Sequence, residues 1–203
     1  MGARPKRPRV FHLAVFASGN GSNFERLVEA CRNGDIPGAQ VVCLICERPC
    51  PALERAGRLG VAAYAVAPGQ WATAHDWSEV ILKKVQAHGV DIIALAGYLK
   101  KIEEPLLGAY REKILNIHPA LLPRHGGPGM YGRRVHESVL RSGDKETGVT
   151  VHVVDGMFDH GRIVRQEKIP VLPEDTPLTL AARVHELEYE TYPKAIREFL
   201  SEL

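Results

Sequence analysis

The chain has 203 residues, 45% of them hydrophobic, enough for a real core in one full-sized domain or in a compact domain carrying a C-terminal arm. Lys and Arg total 26 against 24 Asp and Glu, and the resulting net charge of +2 is too small to make nucleic acid or a membrane surface the main partner. With so little net charge any anion must be held by a local device, and no apolar run is long enough to cross a bilayer.

Residues 1–9 read as a basic, disordered leader and residues 10–203 as a single domain. The first apolar stretch contains His12 and closes on Gly-Asn-Gly-Ser-Asn, which marks a strand and a turn rather than a signal peptide. Strands are expected at Val10–Ala17, Val41–Cys46, Ala62–Val66, Ile92–Ala96 and Lys113–Ile117. Helical patterns fall between them at Asn23–Arg32, Ala52–Leu59, Asp76–His88 and Glu104–Tyr110. This alternation predicts an α/β fold: a mostly parallel, twisted sheet with right-handed crossovers and helices on both faces. A helix at Gly132–Arg141 follows a loop rich in Gly and Pro. The texture then changes to the β-branched segments Gly148–Val154 and Ile163–Val171, which read as a β-hairpin added to one side of the sheet. Its long loop, Asp155-Gly-Met-Phe-Asp-His-Gly161, has the character of a functional segment. Thr176–Leu203 is expected as a long C-terminal helix with Leu180, Val184, Leu187 and Tyr192 as its apolar stripe.

The four cysteines stand at 31, 43, 46 and 50. Cys43 and Cys46 have the spacing of a metal or redox motif. On a strand, however, positions three apart point to opposite faces, so small buried thiols are the expected outcome.

Open α/β sheets collect ligands at the carboxyl ends of their strands. The loop Ser18-Gly-Asn-Gly-Ser-Asn23 lies there, and its glycines permit tight turning that leaves backbone N–H groups free for an anion. A dinucleotide fingerprint would need a third glycine where Phe24 stands, and Glu47 is the one residue that still speaks for it. A single phosphate suits the short loop better.

Asn116 and His118, two apart at the end of the fifth strand, share a face. An amide donor beside an imidazole can cradle a negative oxygen and move a proton. A lone His is more often a packed core residue and a lone Asn a turn former, and spacing alone leaves both readings open. Asp155 and Asp159 in the hairpin loop could supply a carboxylate to that histidine, or serve only as turn residues. His125, His136, His152 and His160 lack zinc-ligand spacing and read as surface or supporting residues, so no metal is expected.

These pieces together resemble the glycinamide ribonucleotide formyltransferase family within the formyl transferase superfamily. The matching segments are Ser18–Asn23, Leu95-Ala-Gly-Tyr98, Leu115-Asn-Ile-His-Pro119, Leu121-Leu-Pro123, Gly148-Val-Thr-Val-His152, Asp155, Asp159, Gly161, Ile169-Pro-Val171 and Ala182-Arg-Val184. The resemblance implies a Rossmann-like formyltransferase fold and the substrate pair 10-formyltetrahydrofolate and glycinamide ribonucleotide. Asn116, His118 and Asp159 would be the catalytic trio, stabilising the oxyanion formed when the acceptor's amine attacks the formyl carbon. Gly21, Ser22, Asn23 and Glu188 would hold the nucleotide, and Leu99, Lys100, Lys101, Ile102, Asn116, Val154 and Asp155 the folate. The resemblance also implies a cis Leu122–Pro123 bond. Small molecules would be the only partners, with neither nucleic acid nor membrane, in a cytoplasmic monomer or weak homodimer. Departures from the family's pattern are Cys46, Ala74, His160 and His185.

Three alternatives share parts of this pattern. A formyltetrahydrofolate hydrolase uses the same trio with water, but is expected to carry an N-terminal regulatory domain that the nine residues before Val10 would not supply. A methionyl-tRNA formyltransferase is expected to add a basic RNA-binding barrel after the catalytic domain. A non-catalytic nucleotide-binding module would not need Asn116, His118 and Asp159 to converge.

Overall fold

A computed structural model describes residues 9–203. Residues 1–8 of the expected leader lie outside the described residues; Arg9 is held 2.7 Å from Asp91. Seven strands form one sheet: β1 (Phe11–Phe16), β2 (Ala39–Cys46), β3 (Ala62–Ala65), β4 (Ile92–Leu95), β5 (Ile114–His118), β6 (Glu146–Val153) and β7 (Ile163–Pro170). Their order is β3-β2-β1-β4-β5-β6-β7. Pairing is parallel from β3 to β5, and the β6–β7 hairpin joins antiparallel at the β5 edge. The winding direction reverses between β1 and β4, which opens a crevice at their carboxyl ends.

The helices are α1 (Ser22–Asn33), α2 (Pro51–Leu59), α3 (Ala74–Ala87), the single turn α4 (Leu106–Ala109), α5 (Arg133–Ser142) and α6 (Pro177–Ser201). The α3 helix begins two residues before the expected Asp76. Thr73 caps it, accepting from the Asp76 N–H, while the Asp76 side chain accepts from the Thr73 N–H. The expected helix Glu104–Tyr110 shrinks to α4, with Pro105 at its N-cap.

Two apolar layers sandwich the sheet. One packs Leu13, Val15 and Ile92 against α1, α2, α5 and α6; the other packs Ala14, Phe16 and Ile93 against α3 and α4. Cys46 belongs to the first layer and Cys43 to the second, so the pair points to opposite faces as the strand geometry requires. Burial pushes the Cys43 thiol up to about 12, leaving it an inert core group.

The long helix α6 is tied to the crevice from below. The fully buried Tyr192 hydroxyl lies 3.0 Å from the carbonyl of Leu95, the last residue of β4, and 3.1 Å from that of Leu115 in β5. Pro193 interrupts the helix ladder, because it has no N–H to give the Tyr189 carbonyl. Arg26 Nε of α1 takes that place at 3.3 Å. Leu122–Pro123 is cis, as is Glu104–Pro105.

Candidate active site

The crevice is a cleft of about 530 Å³ lined by the loops that follow β1, β4, β5 and β6. The loop after β1 forms one wall. Gly21 adopts φ 78°, and a Cβ there would stand 2.5 Å from Ala52 Cβ, so only glycine allows α1 to start this close to α2. The loop is braced through its carbonyls: Gly19 accepts from the Ala52 N–H at 3.2 Å and Asn20 from Arg55 Nε at 2.8 Å. Among the described residues, no hydrogen bond takes the N–H groups of Gly21, Ser22 or Asn23, and no side chain caps α1. They open into the cleft at the positive end of a helix, an arrangement suited to phosphate.

Asn23 Nδ2 donates to Glu188 Oε2 at 2.8 Å, which links the start of α1 to α6. Burial raises the Glu188 carboxyl, against the lowering effect of His185 and the Asn23 bond. Glu47, the one residue that favoured a dinucleotide, is buried and accepts from Ser18 Oγ at 2.7 Å, and so is not presented to a ribose. The same Ser18 hydroxyl accepts from the Leu99 N–H at 2.8 Å, joining the loop after β1 to the loop after β4.

Asn116, His118 and Asp159 meet at the centre. The antiparallel register sets Asn116 opposite His152 and His118 opposite Thr150. Asp159 reaches in from the β6–β7 loop with φ 53°. His118 Nδ1 lies 3.3 Å from Asp159 Oδ1, and Asn116 Nδ2 donates to the same oxygen at 3.3 Å. The other carboxylate oxygen accepts from the Gly127 N–H at 2.9 Å. Burial opposes the Asp159 charge, but the bond from His118, the His118 charge and the Gly127 N–H outweigh it and hold the carboxyl well below the usual range.

His152, read from sequence only as a supporting residue, is buried beneath Asn116. Its Nδ1 donates to the Val153 carbonyl at 3.1 Å, leaving Nε2 to accept from Asn116 Nδ2 at 3.1 Å. No local spacing could have marked it, because the β5–β6 register is what sets His152 opposite Asn116. His136 also lines the cleft. Burial, then the charges of His185 and His118, push its imidazole down to about 4, so it is neutral.

The remaining candidates divide. Gly21, Ser22, Asn23, Glu188, Leu99, Lys101, Ile102 and Val154 line the cleft together with the trio. Lys100 does not; it borders a separate groove with Trp71 and Trp77. Asp155 also stands outside the lining, because it shapes its own loop by accepting from the Met157 N–H at 3.1 Å and pairing with His160 at 2.6 Å. Met157 and Phe158, exposed on that loop, line the cleft instead.

A family model described as Formyl transferase matches residues 11–196. The chain is 40% identical over 191 residues to the chloroplastic phosphoribosylglycinamide formyltransferase of Arabidopsis thaliana, a match covering 93% of the chain and 65% of that relative. It is 38% identical over 189 residues to the phosphoribosylglycinamide formyltransferase of Bacillus subtilis, covering 93% and 94%. The crystal structure of glycinamide ribonucleotide transformylase 1 from Symbiobacterium toebii superposes with a TM-score of 0.89 at 34% identity, covering 97% of this chain and 90% of that one.

Proposed function

The chain belongs to the formyl transferase family, and from that membership we propose that it transfers the formyl group of 10-formyltetrahydrofolate to the amine of glycinamide ribonucleotide, a step of purine biosynthesis. It is a folate-dependent transferase. The observation that carries this reading is the meeting of Asn116, His118 and Asp159 in a cleft whose far wall presents the open amides of Gly21–Asn23.

The donor supplies an activated formyl carbon and the acceptor a primary amine, so the chain's work is positioning, charge stabilisation and proton movement. In this reading the Gly21–Asn23 amides take the acceptor's phosphate and Glu188 its nearby polar groups. Leu99, Lys101, Ile102 and Val154 line the folate side, with Lys100 and Asp155 at its margin. The bond from the acceptor nitrogen to the formyl carbon forms first, placing the negative charge on the formyl oxygen, and collapse of this tetrahedral species breaks the bond to the folate nitrogen. Asn116 Nδ2 and the His118 ring donate to the oxygen that becomes negative, and Asp159 keeps the ring oriented and charged. The proton lost by the attacking amine passes to the departing folate nitrogen. No residue of the trio needs to become a nucleophile.

A cytoplasmic site accords with four cysteines that are all unpaired thiols. No described helix is long and apolar enough to cross a membrane. A monomer or weak homodimer suffices for this reading, since every candidate site residue comes from one chain.

Incubation with 10-formyltetrahydrofolate and glycinamide ribonucleotide is expected to give a ribonucleotide heavier by one carbonyl group, read by mass spectrometry. Recovery of the unmodified ribonucleotide would contradict the proposed acceptor.

A further inference from the structure

The His118 ring is 3% exposed, so water cannot complete its hydrogen bonding. Its two nitrogens face Asp159 Oδ1 at 3.3 Å and the His125 carbonyl at 2.8 Å. Both partners are obligate acceptors. A neutral ring would turn a lone pair toward one of them; only imidazolium donates to both. Asp159 is thus half of the arrangement, and the other half is a backbone carbonyl whose position must be held.

The carbonyl is held by the His125 side chain. His125 is a non-glycine residue at φ 57°, a conformation that persists only where its surroundings impose it. Its Nε2 donates to Asp144 Oδ2 at 2.8 Å, and its Nδ1 lies 3.0 Å from the Ser138 hydroxyl of α5. Arg124 pairs with the same Asp144 carboxylate. The next two residues bear on Asp159. A Cβ on Gly126 would stand 2.5 Å from Leu122 Cδ2 and 3.1 Å from Asp159 Cβ, and the Gly127 N–H donates to Asp159. None of the side chains of His125, Ser138 and Asp144 lines the cleft.

We propose that His125 is a positioning residue for formyl transfer, clamped by Asp144 and Ser138 so that its carbonyl, opposite Asp159, keeps both ring nitrogens of His118 acting as donors. The inference rests on the formyl-transfer reading for its kinetic consequence, though not for its effect on the His118 ring. The clamp presets the charged ring before substrate arrives, and the Nε2 proton lent to the carbonyl is the one available to the developing oxyanion. The other groups that bear on His118 are Asn116 beside it, His152 from β6, Asp159 from the hairpin loop, His136 from α5 and Glu188 from α6. Of these, only Asp159 and Glu188 are acidic.

The test compares wild type with His125→Phe, which keeps a ring of similar bulk, and Asp144→Asn, which weakens the clamp without emptying the site. Nitrogen-resolved NMR of the histidine rings, without substrate, is expected to show the hydrogen bond from His118 Nε2 weakened in both variants. In the formyl-transfer assay, kcat is expected to fall roughly tenfold, the effect of weakening one charge-assisted hydrogen bond, with KM for both substrates unchanged. Variants that melt earlier but keep the His118 resonances and kcat of wild type would overturn the proposal, leaving the clamp a purely structural contact. If the His118 resonances move while the wild type itself transfers no formyl group, the clamp stands and the proposed function fails.

Discussion

Replacing His118 with Ala is expected to lower kcat for formyl transfer by roughly a thousandfold or more, the combined effect of losing a proton-transfer group and a donor to the oxyanion. The loss should fall on kcat rather than on nucleotide affinity. The phosphate reading rests on the Gly21–Asn23 amides, and their loop is braced by Ala52 and Arg55 rather than by His118. Removing the ring leaves Asp159 with the Gly127 N–H and the Asn116 amide as hydrogen-bond donors, enough to keep the carboxylate accommodated. The measurement is steady-state kinetics paired with calorimetric binding of glycinamide ribonucleotide. Collapsed turnover with near-normal binding is the expected pair; turnover near the wild-type rate would make His118 a structural residue and remove the mechanism.

Gly21→Ala is expected to be the most damaging single methyl addition in the loop after β1. At φ 78° a side chain costs about 1–3 kcal/mol in backbone strain. The added Cβ would also stand 2.5 Å from Ala52 Cβ and 2.9 Å from its Cα, both fixed at the start of α2. Either α2 or the loop must move, and the amides of Ser22 and Asn23 move with the loop. The expected result is a lowered melting temperature and an acceptor KM raised tenfold or more, the loss of about 1.4 kcal/mol of binding, with the folate KM little changed. Gly19→Ala is the control for the fold, since a Cβ there meets nothing within 4 Å. Equal melting temperatures for the two variants would remove the argument that Gly21 is required by close packing.

The strands and their mostly parallel arrangement were legible because the buried strands are short apolar runs separated by helical periodicity, and a parallel sheet covered on both faces demands that pattern; their order in the sheet was not. Asn116 and His118 were legible as a pair because residues two apart on a strand share a face whatever surrounds them. The helix start at Ala74 was missed because its signal is the Thr73–Asp76 capping box, which precedes the apolar stripe. The inward turn of Lys101 and Val154 against the outward placement of Lys100 and Asp155 was not legible. Side-chain direction in a loop is set by tertiary contacts, such as the Asp155 bonds to His160 and Met157. His152 was hidden for a related reason: its place beneath Asn116 depends on the β5–β6 register, which no local spacing encodes. His125 acts through its backbone carbonyl, a role that residue type does not announce.

The central claim is that the trio moves a formyl group to an amine rather than to water. Its most direct measurement follows loss of the formyl group from 10-formyltetrahydrofolate, with and without glycinamide ribonucleotide, in the wild-type protein. Formyl transfer predicts that deformylation is negligible alone and rises with the ribonucleotide until it saturates, one formylated product appearing for each folate released. Deformylation that proceeds at full rate without the ribonucleotide would contradict it and assign the same three residues to hydrolysis.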